Sequence, residues 1–141
     1  MRTISRTMMM IAGICLTVSS ARAESVAGTW ILQGGKYTVR VLPCGGNLCG
    51  KIVGMKEPIN KHGHPKNDLH NPNPALRKRQ VIGLTVMSEL KPSGERSWSG
   101  RIYNPDDGKT YNTEVTVLDR RMKVKACMGF ICDKVTFTRV E

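Results

Sequence analysis

The chain has 141 residues, with 22 Lys and Arg against 11 Asp and Glu, a net charge of +11 and five cysteines. That length holds one domain around a single core and excludes a multidomain assembly. The charge favours anionic partners such as acidic lipids, glycans or acidic protein surfaces, although a solvated basic surface accounts for it equally well.

The first element is "MRTISRTMMMIAGICLTVSSARA", residues 1–23. Arg2 and Arg6 make a basic start, an apolar run extends from Met8 to about Val18, and Ala21-Arg22-Ala23 is a small-x-small cleavage signal. This is the pattern of a secretory signal peptide. The apolar run is shorter than the ~20 residues of a spanning helix. Three of the 22 basic residues lie in the leader, so cleavage leaves residues 24–141 with 19 basic and 11 acidic residues, net +8. Residue 24 is Glu and not Cys, so no lipid attachment is expected there, and Cys15 leaves with the leader. No later stretch is apolar enough to span a membrane. The reading is an exported protein, periplasmic or secreted, for which nucleic acid is not an expected partner.

The mature chain alternates with a period of two. In "KYTVRVLP", Tyr37, Val39 and Val41 share one face; in "RMKVKAC", Met122, Val124 and Ala126 do; in "KVTFTRV", Val135 and Phe137 do. Such alternation marks strands with one buried and one wet face. Eight strands are expected, near residues 28–33, 36–43, 48–55, 80–90, 96–104, 109–118, 121–127 and 132–140. Most connections are short turns, including Gly34-Gly35 and "NPDDG" at 104–108. Asp106 and Asp107 are read there as residues that shape the turn. Sequential hairpins with an even strand count predict an all-β, antiparallel up-and-down barrel, with a sandwich as the alternative. In a closed barrel the first and last strands meet, so Trp30 would cover the floor and Arg139 would stack on it.

Residues 56–79 interrupt the alternation and form a long crossover containing Pro58, Pro65, Pro72 and Pro74. Loops of that length inside a compact domain are uncommon and are often functional or mobile. Asn73 to Lys78 could form one helical turn, with Pro74 at its first position. The crossover also holds every histidine, His62, His64 and His70, beside Asp68. These are metal-ligand types, but Gly63 and Pro65 deny them a regular scaffold, so no metal or other cofactor is assigned. Arg77 and Arg79 would share one side of an extended chain and either bind an anion or brace the loop.

Four cysteines remain in the mature chain as two C-x4-C pairs, and after export disulfides are expected. Three connectivities are open. The local pairs Cys44–Cys49 and Cys127–Cys132 are favoured because each could meet across a hairpin. The mature chain has no Gly-x-Ser-x-Gly elbow, His-Glu-x-x-His helix or phosphate-binding glycine loop. No catalytic residue is assigned, and a non-enzymatic role is expected.

The Gly28-Thr29-Trp30 start with a late arginine resembles the calycins, the lipocalins and fatty-acid-binding proteins. More specifically, "GTW", "CGGNLCGKIVG", "KNDLHNPNPALRKRQVIGL", "WSGRIYNPDDGKTY" and "MGFICDKVTFTRV" resemble, in order and spacing, the exported bacterial family DUF2147. The resemblance covers nearly all of residues 24–141 and implies a lipocalin-like barrel. The family pattern takes in Asp68, Asn71, Pro72, Arg77, Arg79, Gly83, Gly100, Tyr103, Pro105, Gly108, Tyr111 and Arg139. It does not take in the histidines, and Gln80 stands where relatives often carry proline. The expectation is a barrel that binds a small amphipathic or hydrophobic molecule in or at its mouth, with Asp68, Asn71, Arg77, Arg79, Tyr103 and Tyr111 as candidate ligand-binding groups. The alternative is a secreted protein–protein interaction module, a host-directed effector, acting through the long loop or a basic outer wall of Arg120, Arg121, Lys123, Lys125 and Lys134.

Overall fold

A computed structural model describes residues 25–140; the leader and cleavage signal expected at residues 1–23 lie outside the described residues. Eight antiparallel strands close into a barrel: β1 (Gly28–Leu32), β2 (Tyr37–Cys44), β3 (Asn47–Met55), β4 (Thr85–Gly94), β5 (Ser97–Asn104), β6 (Lys109–Leu118), β7 (Arg121–Met128) and β8 (Ile131–Val140). Each strand pairs with its successor, and β8 returns to β1 with Trp30 opposite Arg139 and Leu32 opposite Phe137. The expected barrel is therefore the observed one. The expected fourth strand begins too early: β4 starts at Thr85 instead of residue 80. Val81 and Leu84 are buried by the end of the crossover, not by a strand, so apolar residues there imitate strand patterning.

The two-residue period puts Val39 and Val41, Val115 and Val117, Met122 and Val124, and Phe137 inside, where they form one core with Trp30, Ile52, Met87 and Leu90. Their outward neighbours Arg40, Glu114, Lys123 and Lys125 are exposed. In an up-and-down barrel successive turns alternate between the two ends. The β2–β3, β4–β5 and β6–β7 turns lie at one end, and the β1–β2, β5–β6 and β7–β8 turns lie at the other with the long crossover.

The first end is a closed floor. Trp30 is fully buried, and its indole Nε1 donates to the carbonyl of Val26 at 2.9 Å. Arg139 lies 4.2 Å from the Trp30 ring centre and donates to the carbonyls of Ala27 (3.0 Å) and Ser25 (2.6 Å). One guanidinium thus joins the last strand to the segment that precedes the first. Gly28 makes room for it: a Cβ there would stand 2.5 Å from Arg139 Nη1, and its φ of +138° suits glycine.

Both cysteine pairs are local, Cys44–Cys49 and Cys127–Cys132. Cys127 and Cys132 stand directly opposite each other on β7 and β8. The other pair is diagonal: Cys44 faces Asn47 and Cys49 faces Leu42.

The crossover is ordered by its own backbone. Ile59 bridges Pro65 and Asn67 bridges Gln80. Lys66 N donates to Pro58 O at 2.9 Å and Val81 N to Lys66 O at 3.0 Å. A 3-10 turn at Pro74–Leu76 is capped by Asn73, whose side chain accepts from Ala75 N at 3.1 Å. The helical turn expected at Asn73–Lys78 is present in that shorter form.

Candidate functional site

The barrel interior is not filled to its upper end. A cavity of about 280 Å³ opens between the β1–β2, β5–β6 and β7–β8 turns. Leu32, Val39, Ile52, Met87, Ile102, Val124, Ala126, Val135 and Phe137 wall it, and Tyr37, Tyr103, Asn104, Asp106, Asp107, Tyr111 and Asp133 line its polar part. The arrangement follows from alternation along the strands. Val39 is inward, so Tyr37 is inward one pair higher; Val135 is inward, so Asp133 is too. Polar side chains appear where each inward row reaches the open end.

The rim is organised as phenol–carboxylate pairs. Tyr37 Oη donates to Asp106 Oδ1 at 2.7 Å, and Lys36 Nζ meets Asp106 Oδ2 at 2.6 Å. Burial pushes the Asp106 carboxyl up, but the hydrogen bonds from Lys36 and Tyr37 outweigh it and hold the group below its ordinary value. The same contact raises the Tyr37 phenol, with burial the larger cause and the bond to Asp106 next. Tyr111 Oη donates to Asp107 Oδ2, and this hydrogen bond is the main reason its phenol is raised. Because every rim phenol gives its proton to a carboxylate, the oxygens that remain are acceptors. The rim is therefore suited to a group that donates hydrogen bonds.

A second polar cluster anchors the crossover beside this rim. Asp68 is fully buried. Its Oδ1 accepts from Tyr103 Oη at 2.6 Å; its Oδ2 accepts from Asn71 Nδ2 at 2.9 Å and Arg79 Nη2 at 3.2 Å. Burial, followed by the hydrogen bond to Asp68, pushes the Tyr103 phenol up to about 12. Arg77 acts one step away, donating Nε to the Asn71 carbonyl at 2.8 Å. A buried carboxylate with three donors is compensated, and the donors come from the crossover and from β5, so the cluster fastens one to the other.

The six candidate ligand-binding groups thus divide. Asp68, Asn71, Arg79 and Tyr103 meet in one network with Arg77 at its edge, and Tyr111 stands apart on Asp107. Tyr103 and Tyr111 line the cavity; Asp68, Asn71, Arg77 and Arg79 do not. Tyr37, Asp106, Asp107 and Asp133 line it without having been singled out from the sequence. Alternation carried a signal for Tyr37 and Asp133. Asp106 and Asp107 carried none beyond their turn, which they do shape: Lys109 N donates to Asp107 Oδ1 at 2.8 Å.

His62 and His64 donate backbone N–H groups to Asn60 Oδ1 at 2.9 and 3.1 Å. Among the described residues no three His, Cys, Asp or Glu side chains converge as a metal site. No helix of the described residues is long and apolar enough to cross a membrane.

The family profile described as "Uncharacterized protein conserved in bacteria (DUF2147)" matches residues 28–139. Among solved structures the chain is similar to protein HP1028 from the human pathogen Helicobacter pylori, described as belonging to the lipocalin family. The identity is 25%, the match covers 83% of this chain and 84% of that one, and the TM-score is 0.72. No curated protein matches.

Proposed function

The chain belongs to the bacterial family DUF2147, and from that membership and its lipocalin-like barrel we propose that it is an exported binder of a small amphipathic molecule. The observation that carries the reading is the cavity: apolar walls, a closed floor and one open end ringed by hydrogen-bond acceptors. An apolar pocket with a few placed polar groups suits an amphipathic ligand. At about 280 Å³ it lies at the lower edge of the ~300–1,000 Å³ typical of ligand pockets, so the ligand is small. Its apolar part lies against Val39, Ile52, Val124 and Phe137, and its polar end donates to the rim oxygens of Tyr37, Tyr111, Asp107 and Asp133. Export to the periplasm or beyond is supported by the leader pattern at residues 1–23 and by two disulfides, which persist in oxidising compartments.

The test is native mass spectrometry of the protein recovered from a bacterial envelope, beside an Ala126→Trp variant that fills the cavity. We expect a small co-purifying molecule on the wild type and none on the variant, with both melting cooperatively. An unliganded wild type that also fails to take up apolar fluorescent probes would refute the reading.

A further inference from the structure

The β7–β8 hairpin carries its inward rows past the barrel rim: Met128 follows Ala126 and Ile131 follows Asp133, and there the apolar side chains are left in solvent. Phe130 is 106% exposed, Ile131 79% and Met128 46%, all within four consecutive residues. Isolated exposed apolar residues are ordinary, but three on one protruding tip form a patch. The tip is held in shape: Cys127 and Cys132, directly opposed at its base, are joined by a disulfide. It stands at the open end of the cavity, where Asp133 and Ala126 of the same hairpin line the mouth. Leu69 of the crossover, 66% exposed, lies at that end too, since the neighbouring His70 carbonyl packs against Gly108 in the β5–β6 turn.

Behind the tip, the outward face of the hairpin is basic. Lys125 and Lys134 are paired across it, and Lys123 lies one outward position further on. The three border a shallow hollow in which Glu114 is the acidic residue. Lys125 and Lys134 are each three residues from an apolar tip residue, about 10 Å along an extended strand. With the tip among lipid headgroups, ammonium groups on flexible stems at that distance reach the phosphate level.

We propose that the β7–β8 hairpin is a membrane-docking finger that inserts Phe130 and Ile131 into an anionic bilayer, with Lys125 and Lys134 on the lipid phosphates. Apolar insertion and cationic attraction together give reversible surface binding, where either alone is weak. The outward side of the hairpin selects a phospholipid surface: Lys125 and Lys134 flank the apolar tip there while Asp133 of the same hairpin faces the cavity, and an anionic bilayer presents negative charge directly above an apolar interior. Docking by this finger brings the cavity mouth to the bilayer. It does not require the cavity to be occupied, so a chain whose barrel proves empty still binds vesicles under this proposal.

The experiment is co-sedimentation of the chain from Glu24 to Glu141, whose barrel closes within residues 28–140, with phosphatidylglycerol/phosphatidylethanolamine vesicles and with phosphatidylcholine vesicles. Binding to the anionic vesicles is expected, at least about tenfold stronger than to the neutral ones and weakened by salt. Phe130→Ser with Ile131→Ser should abolish it without shifting the melting temperature, because both side chains are exposed. Lys125→Glu with Lys134→Glu should weaken it by about tenfold or more. No binding to anionic vesicles, or equal binding by the Phe130→Ser/Ile131→Ser variant, overturns the proposal. So does a dimer in light scattering that the same serine substitutions dissolve, which would assign the tip to a second copy of the chain.

Discussion

Asp68 illustrates how much one side chain decides. Its carboxylate has no contact with solvent and is held by Tyr103, Asn71 and Arg79. When a donor is deleted, the desolvation of the carboxylate remains, so the loss exceeds that of an ordinary hydrogen bond. Tyr103→Phe should lower the unfolding free energy by about 1.5–3 kcal/mol at pH 7, read from urea titrations. Arg79→Ala should cost less, because the Arg79 side chain is 45% exposed and its charge is screened. The pH dependence has a defined sign. The Tyr103 phenol is raised from 10.0 to about 12, so the folded protein keeps a proton that the unfolded chain has released. Its contribution is complete below pH 10 and drains away as pH rises towards 12. The stability gap between wild type and Tyr103→Phe should therefore narrow over that interval; a constant gap would show that the phenol is not held by Asp68. Asp106 has the opposite sign: lowered on folding, it stabilises above the ordinary carboxylate range and loses that contribution as pH falls.

Among the elements, the crossover depends on contacts that its sequence pattern does not advertise. A Cβ on Gly108 would overlap the His70 carbonyl, and Gly108 has a φ of +71°. Gly108→Ala should therefore push the crossover off the β5–β6 turn at a cost of about 2 kcal/mol or more, from backbone strain and lost packing together. Thermal melts would register it, and faster amide exchange at Asp68 and Val81 would localise it. The Cys127–Cys132 bridge closes a short loop, so its double Ser replacement should cost about 2 kcal/mol by loop entropy; a much larger loss would mean that the bridge supports the barrel and not only its hairpin. The strands were legible because alternation is local: Val39, Val124 and Phe137 sit where a period of two puts them. The crossover was not. Its bonds, such as Tyr103 to Asp68, join residues 35 positions apart, and no periodicity encodes such pairings. The family pattern drew attention to Asp68, Asn71, Arg77 and Arg79, yet a recurring motif does not distinguish a brace from a binding group. The Asp106 carboxylate, which looks like a turn residue in the sequence, meets Tyr37 only because barrel closure brings the β5–β6 turn beside the start of β2, whereas Asp107 meets Tyr111 four residues along its own hairpin.

For the whole molecule, net charge and local charge point in opposite directions. The sequence is strongly basic, +11 overall, and Lys123, Lys125 and Lys134 place that charge on the outer wall. The cavity lining reverses it, with Asp106, Asp107 and Asp133 as its charged residues and Lys36 engaged with one of them. Charges more than about 8 Å away in water are screened at physiological salt, whereas those at the walls of an apolar cavity act in a lower dielectric. A ligand head group at the mouth therefore responds chiefly to Asp107 and Asp133, since Asp106 is already paired with Lys36 and Lys125 and Lys134 border a hollow on the solvent-facing side of the hairpin. Of two probes with the same alkyl chain, dodecylamine should bind more tightly than laurate, by about tenfold or more, since one charge of the wrong sign at a carboxylate rim costs over ~1.4 kcal/mol. Asp133→Asn should reduce that preference, because it removes a charge from the inward face of β8 while leaving the apolar wall intact. Calorimetric titration of both probes against both proteins reads the ratio directly. Equal affinities in the wild type would mean that the rim does not meet the head group, and would place the ligand wholly within the apolar part of the barrel.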